Sequence, residues 1–181
     1  MNQLQNVQPI RSLEKIDDMK WALKRFCSER DYMYFLIGIN CGLRGGDLVQ
    51  LKQSQCKRKK FVVKEGKTKK PRNINLSSIY YEVQDYIKNN PNEWMFPSRK
   101  GNSHITRVQA YRQMKKAADM AGVEGMGTHT LRKTFGYWYY KQTRDIAKLQ
   151  MLFNHSNPET TLIYIGITEE ELDQSLENFR L

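Results

Sequence analysis

The stretch KKFVVKEGKTKKPRNINL, residues 59–76, carries the clearest β signal in the chain: Phe61 to Val63 and Asn73 to Leu76 flank a Gly/Lys-rich turn. That pattern reads as a hairpin with a strongly cationic tip. Most of what surrounds it has helical spacing. SLEKIDDMKWALKRFCSERD places Ile16, Met19, Leu23 and Phe26 on one face, with Ser12 able to cap the start. YMYFLIGINCG is an apolar run ending at Gly42, as expected of a buried helix stopped by glycine. SSIYYEVQDYIKNN is a helix ended before Pro91, and NEWMFPSRKG is a loop with one short strand. ITRVQAYRQMKKAADMAG sets Ile105, Val108, Tyr111, Met114 and Ala117 on one face and stops at Gly122. Three further helical pieces follow in THTLRKTFGYWYYKQ, DIAKLQMLF and NPETTLIYIG. The expected fold class is mostly α with a small antiparallel β-hairpin, an α+β arrangement.

Charge narrows the partners. Thirty Lys/Arg against nineteen Asp/Glu give +11, which favours polyanions. The excess concentrates between Lys57 and Arg72, where nine basic residues face a single acid, Glu65. Lys57, Arg58, Lys59, Lys60, Lys69, Lys70 and Arg72 are therefore candidate DNA-binding residues, although lysines on an edge strand also serve to discourage aggregation. Three cysteines without a CxxC pair argue for reduced thiols in a cytoplasmic protein, with neither a disulfide framework nor a metal site. No GxxxxGK[ST] loop marks a nucleotide site, and adjacent Asp17 and Asp18 point to different sides of a helix, poor geometry for a two-metal nuclease. No cofactor is expected. The N-terminus lacks the basic and apolar regions of a secretory signal, and no apolar run is long enough to span a bilayer.

Single motifs say little. His129-Thr-Leu-Arg132 places two side chains on one face of a helix, and Arg44 lies three residues before a possible partner, Asp47. Their order says more. Arg44 in GLRGGDL, Lys67 in GKTKKPRNINL, His129 and Arg132 in THTLRKTF, and FNHSNPETTLIY with nine residues from His155 to Tyr164 together resemble the tyrosine recombinase (phage integrase) family. The resemblance covers residues 11–167, the extent of that family's catalytic domain.

The resemblance implies a site-specific recombinase that cleaves and rejoins DNA through a covalent 3′-phosphotyrosine. It assigns Arg44 and Arg132 to the arginine pair, Lys67 to the hairpin lysine, His129 and His155 to the two histidine positions, and Tyr164 to the nucleophile. A phenol with an ordinary pKa near 10 attacks a phosphodiester only when its proton is taken and the phosphate charge is offset. Two guanidiniums supply the offset through paired hydrogen bonds. His129 is then a general base or phosphate donor, His155 a second donor, and Lys67 the acid that protonates the departing 5′ oxygen. Lys69 and Lys70 compete with Lys67 for that role. Because the link conserves the phosphodiester, neither ATP nor metal is required. The rival enzyme reading is a type IB topoisomerase-like relaxing activity, and the rival from another class a non-catalytic DNA-binding protein of the same fold.

Most members of the family carry a helical core-binding domain ahead of the catalytic one, whereas residues 1–10 here read only as an arm or linker. Phe153-Asn154-His155 replaces the commoner Leu-Gly-His, which asparagine allows because it tolerates the left-handed backbone. At the other end, residues 168–181 begin with Thr168 and Glu171 in capping-box spacing and carry Leu172, Leu176 and Phe179 on one stripe. The resemblance implies a helix that docks on a neighbouring protomer, within a tetramer on double-stranded DNA; the alternative is an amphipathic helix folded back on its own domain.

Overall fold

The computed structural model describes residues 7–167. Helices α1 (Leu13–Phe26) and α2 (Glu29–Cys41) lead through two single turns, α3 (Gly45–Leu48) and α4 (Gln53–Cys56), to the hairpin β1 (Lys60–Lys64) and β2 (Pro71–Asn75). A 3-10 turn at Ser77–Ile79, α5 (Tyr80–Asn89) and α6 (Arg107–Ala121) follow. The described part closes with α7 (Thr130–Thr143), α8 (Ile146–Phe153) and α9 (Pro158–Ile165). The mostly helical expectation with one small antiparallel sheet holds. Val62 faces Asn73 and Phe61 faces Ile74 in the hairpin register. The strand expected in NEWMFPSRKG is reduced to isolated bridges, Lys52 to Trp94 and Pro97 to His104.

Local chemistry explains the helix limits. The Ser12 hydroxyl accepts from the Lys15 backbone N–H at 3.3 Å and starts α1. Thr106 and Gln109 form a reciprocal capping box at α6. Gly42 closes α2 with φ +60°, a left-handed residue where glycine carries no Cβ penalty. The helix it closes is central: Met33, Phe35, Leu36 and Ile37 of α2 are buried, and α1, α6 and α7 all pack against it. Asp17 and Asp18 pair with Lys20 and Lys15 at the surface of α1.

A second, smaller core of Tyr137, Leu149, Phe153, Ile165 and Ile167 ties α7, α8 and α9 together. Gly136 lets them approach, since a Cβ there would stand 2.6 Å from Ile165 Cγ2 and 2.7 Å from Phe153 Cε2. Gly136→Val is expected to destabilise the domain by about 2 kcal/mol in denaturant unfolding, because overpacking outweighs the roughly 0.3 kcal/mol that a helix interior gains when valine replaces glycine. An unchanged midpoint would show that these helices can part without cost.

Residues 7–10 pack against the folded body. Pro9 and Ile10 are buried. The Ile10 N–H donates to Thr134 Oγ1 at 2.9 Å, and Trp138 Nε1 donates to the Ile10 carbonyl at 2.9 Å. Lys133 Nζ holds the Val7 carbonyl, and Arg11 Nη2 reaches the carbonyl of Gly166, just past α9, at 2.7 Å. The segment is thus a belt across α7 that ends on the helix carrying Tyr164. The helix expected at 168–181, with its docking role, lies outside the described residues.

Candidate active site

The site is built where the C-terminus of α2 meets the N-terminus of α7. Helix C-termini leave carbonyls without helical partners and carry partial negative charge, so they attract cations. The Gly42 carbonyl accepts from Arg132 Nη1 at 2.9 Å and from Arg72 Nη1 at 3.1 Å, and the Cys41 carbonyl accepts from Arg72 Nη2 at 2.7 Å. Arg132 Nη2 also donates to the Phe153 carbonyl at 3.0 Å, and its guanidinium stacks 4.3 Å from the Phe153 ring centroid. Arg132 is 3 % exposed. Burial first, then the neighbouring Arg72, lowers its pKa to about 10, so it stays cationic at neutral pH.

Arg44 begins α3 two residues beyond Gly42, and its Nη1 lies 2.7 Å from Glu65 Oε2. The expected partner, Asp47, instead accepts the Gly66 N–H at 2.8 Å and so anchors the hairpin tip to α3. Lys67 is exposed on that tip and lines one open cavity of about 370 Å³ with Arg44, Asp47, Arg107 and His129. Lys69 takes a left-handed turn at φ +58°, and Lys70 Nζ sits 3.5 Å from Asn154 Oδ1. Asn154 itself has φ +58°, a left-handed conformation that asparagine tolerates.

His129 is the N-cap residue of α7, with φ −106° and ψ −4°, and its carbonyl accepts the Lys133 N–H at 2.9 Å, so it stands one turn before Arg132 at the start of that helix. There its Nδ1 lies 3.1 Å from the Tyr164 hydroxyl. Burial, then Arg132 and Lys133, lower the His129 pKa below the ordinary value, which keeps the imidazole neutral, and in the tautomer protonated at Nε2 its Nδ1 can accept the phenolic proton. Burial raises the Tyr164 pKa, while Arg132 and Arg44 oppose the rise by favouring the phenolate. His155 stands with its ring centroid 5.1 Å from that of Tyr164, and its Nδ1 meets Thr161 Oγ1 at 3.1 Å. Its pKa is also lowered, by burial and then by Arg132.

The cationic surface divides. Lys57, Arg58, Lys59, Lys60, Lys69 and Lys70 are exposed, and Lys59 Nζ lies over the Tyr80 ring at 5.2 Å. Arg72 does not belong with them: it is 8 % exposed, and its guanidinium is committed to the end of α2 and to Glu65. Strand alternation turns it inward. Two residues of the site escaped sequence reasoning. Arg107, the first residue of α6, lines the cavity with Arg44 and His129, and no motif in the sequence marks it. Glu65, 2 % exposed, entered only as one negative charge among nine positive ones. A lone acid inside a basic run, two residues before a candidate catalytic lysine, was the available signal. Among the described residues no group of three His, Cys, Asp or Glu is arranged to hold a metal, and no helix is long and apolar enough to cross a membrane.

The fold is that of tyrosine recombinase catalytic domains. The crystal structure of the XerA recombinase superposes with TM-score 0.77 at 19% identity, covering 97% of this chain and 66% of that one. A lambda integrase dimer bound to a COC' core site gives 0.71 at 18% identity over 89% of this chain and 61% of that one. The catalytic domain of bacteriophage HP1 integrase gives 0.65 at 22% identity, over 94% and 95%.

The sequence pattern of the phage integrase family matches residues 14–171, and the chain belongs to that family. It is 47% identical to the probable integrase/recombinase YoeC of Bacillus subtilis (strain 168), over 91% of this chain and 92% of that protein. The tyrosine recombinase XerC of Caldanaerobacter subterraneus subsp. tengcongensis is 32% identical over 82% of this chain, which spans only 44% of that longer relative.

Proposed function

We propose that this chain is a site-specific DNA recombinase whose Tyr164 attacks the scissile phosphodiester and forms a 3′-phosphotyrosine. The observation that carries the reading is the contact between the Tyr164 hydroxyl and a neutral His129 beside the buried Arg132. The phenolic proton passes to His129 Nδ1 as the tyrosine oxygen bonds to phosphorus. Arg44 and Arg132 hold the non-bridging oxygens, and His155 adds a hydrogen bond. The bond to the 5′ oxygen breaks and Lys67, on the exposed hairpin tip, delivers the proton that this oxygen takes up. Attack by a new 5′-hydroxyl reverses the steps and restores both tyrosine and phosphodiester.

Double-stranded DNA is the partner, reached by the exposed cations from Lys57 to Lys70. Neighbours of the same fold have been solved as a dimer on a core site and as a tetramer on a Holliday junction, which supports assembly of several protomers on DNA. The test is to incubate the protein with duplex or supercoiled DNA, quench with detergent, and map any protease-sensitive adduct by mass. The nucleotide is expected on the peptide containing Tyr164. Attachment elsewhere, or DNA binding without any adduct, overturns the reading.

The acid side of the pH profile checks the base. Because the His129 pKa lies below its ordinary value, single-turnover cleavage should hold as pH falls to about 6.5 and decline only below it. A decline centred at or above that ordinary histidine value would remove His129 as the base.

A further inference from the structure

Three guanidiniums converge on one carboxylate in the catalytic centre. Glu65 Oε2 lies 2.7 Å from Arg44 Nη1, while Oε1 lies 3.4 Å from Arg72 Nη1 and 3.8 Å from Arg132 Nη1. The same carboxylate accepts the Thr68 hydroxyl at 2.8 Å, within the tip that bears Lys67. Glu65 is almost fully buried, and the chemistry of strand transfer gives it no task. Of its three cations, Arg44 and Arg132 are the pair assigned to the scissile phosphate.

A carboxylate and a phosphodiester are alike in what matters to an arginine pair: each carries one negative charge and presents two oxygens to paired N–H donors. Buried cations need a counter-charge, since the desolvation of unpaired guanidiniums is costly. In the DNA-free enzyme Glu65 meets that need. Two anions cannot share the seat, because like charges brought together in a buried site repel strongly.

We propose that Glu65 is a resident surrogate of the scissile phosphate, holding Arg44 and Arg132 until DNA arrives and leaving them when the phosphate takes its place. This deepens, and rests on, the assignment of those arginines to the phosphate. Displacement releases the Thr68 hydroxyl together with the arginines, so occupation of the seat is coupled to freedom of the Lys67 tip. Asp47, bonded to the Gly66 N–H, keeps the base of the tip on α3 meanwhile. The exchange makes the arginine pair costly to occupy for any anion without the rest of the duplex behind it, which disfavours free phosphate and non-cognate ends.

The experiment compares wild type with Glu65→Gln, and with Glu14→Gln on α1 as a control of equal charge change at an exposed site. Inorganic phosphate is titrated while the melting temperature is followed. Single-turnover cleavage of duplex DNA is measured alongside. Glu65→Gln should bind inorganic phosphate at least tenfold more tightly than wild type and cleave DNA several-fold faster, with Glu14→Gln close to wild type. Phosphate binding no tighter than wild type, or slower cleavage by Glu65→Gln, would make the glutamate a permanent brace for the arginines and overturn the proposal. Should Glu65→Gln show no cooperative melt, Glu65→Asp, which withdraws the carboxylate by one methylene, enters the same assays with the same expected directions. The phosphate titration involves no cleavage, so its outcome is separate from whether Tyr164 forms the DNA adduct.

Discussion

Tyr164→Phe is expected to abolish the covalent protein–DNA adduct while leaving duplex affinity within about twofold, since loss of a nucleophile costs roughly 10⁴-fold or more in rate. The substitution removes one oxygen and little else. The ring keeps its edge contacts with Phe153 and His155, at centroid distances of 5.5 Å and 5.1 Å, so the small core under α9 persists. What disappears is the 3.1 Å contact to His129 Nδ1 and the hydrogen bond with the Arg132 guanidinium. Denaturing gels after a detergent quench read the adduct, and gel shifts read the binding. An adduct that survives at wild-type yield would move the nucleophile to another of the ten tyrosines.

Arg132→Ala should cost both chemistry and stability, and the second loss separates it from a surface arginine. Cleavage should fall by about 10²–10³-fold, the scale of losing one preorganised donor to a transition-state oxygen. Unfolding free energy should fall by about 2–4 kcal/mol, because the Gly42 and Phe153 carbonyls lose a buried donor and Glu65 a buried counter-charge. Arg132→Lys should recover little of either, since a single ammonium cannot reach both carbonyls in the geometry of a planar fork. Denaturant unfolding and single-turnover cleavage on the same preparations check this. Full stability in Arg132→Ala would mean that the two carbonyls find other donors.

Much of the site was legible because its chemistry is local in sequence. The nine-residue interval from His155 to Tyr164 spans the turn after α8 and all but the last residue of α9, so the spacing itself sets both side chains on one small core. Gly42 announced the end of α2, and the hairpin announced itself by its β-prone flanks. What could not be read depended on burial and on where a chain reversal points its groups. Charge counting assigned Arg72 to the DNA surface, yet strand alternation turned it toward α2. Glu65 vanished into the same count, although the fold makes it the hub of the arginine cluster. The HxxR spacing set His129 and Arg132 one turn apart, but nothing in it showed that this turn meets Tyr164 of α9. The single turns α3 and α4 are too short to show a period at all.

The belt formed by residues 7–11 gives the domain a lever. Val7 and Ile10 are fastened to α7 at Lys133, Thr134 and Trp138, and Arg11 holds the Gly166 carbonyl that follows α9, the helix of Tyr164. Because Ile10 also sits in the main core, tension on the chain upstream of Val7 is felt by that core and by the end of α9 together. Anything that grips or strains that upstream stretch, a fused tag as much as a bound protein, has a mechanical handle on the helix that carries Tyr164.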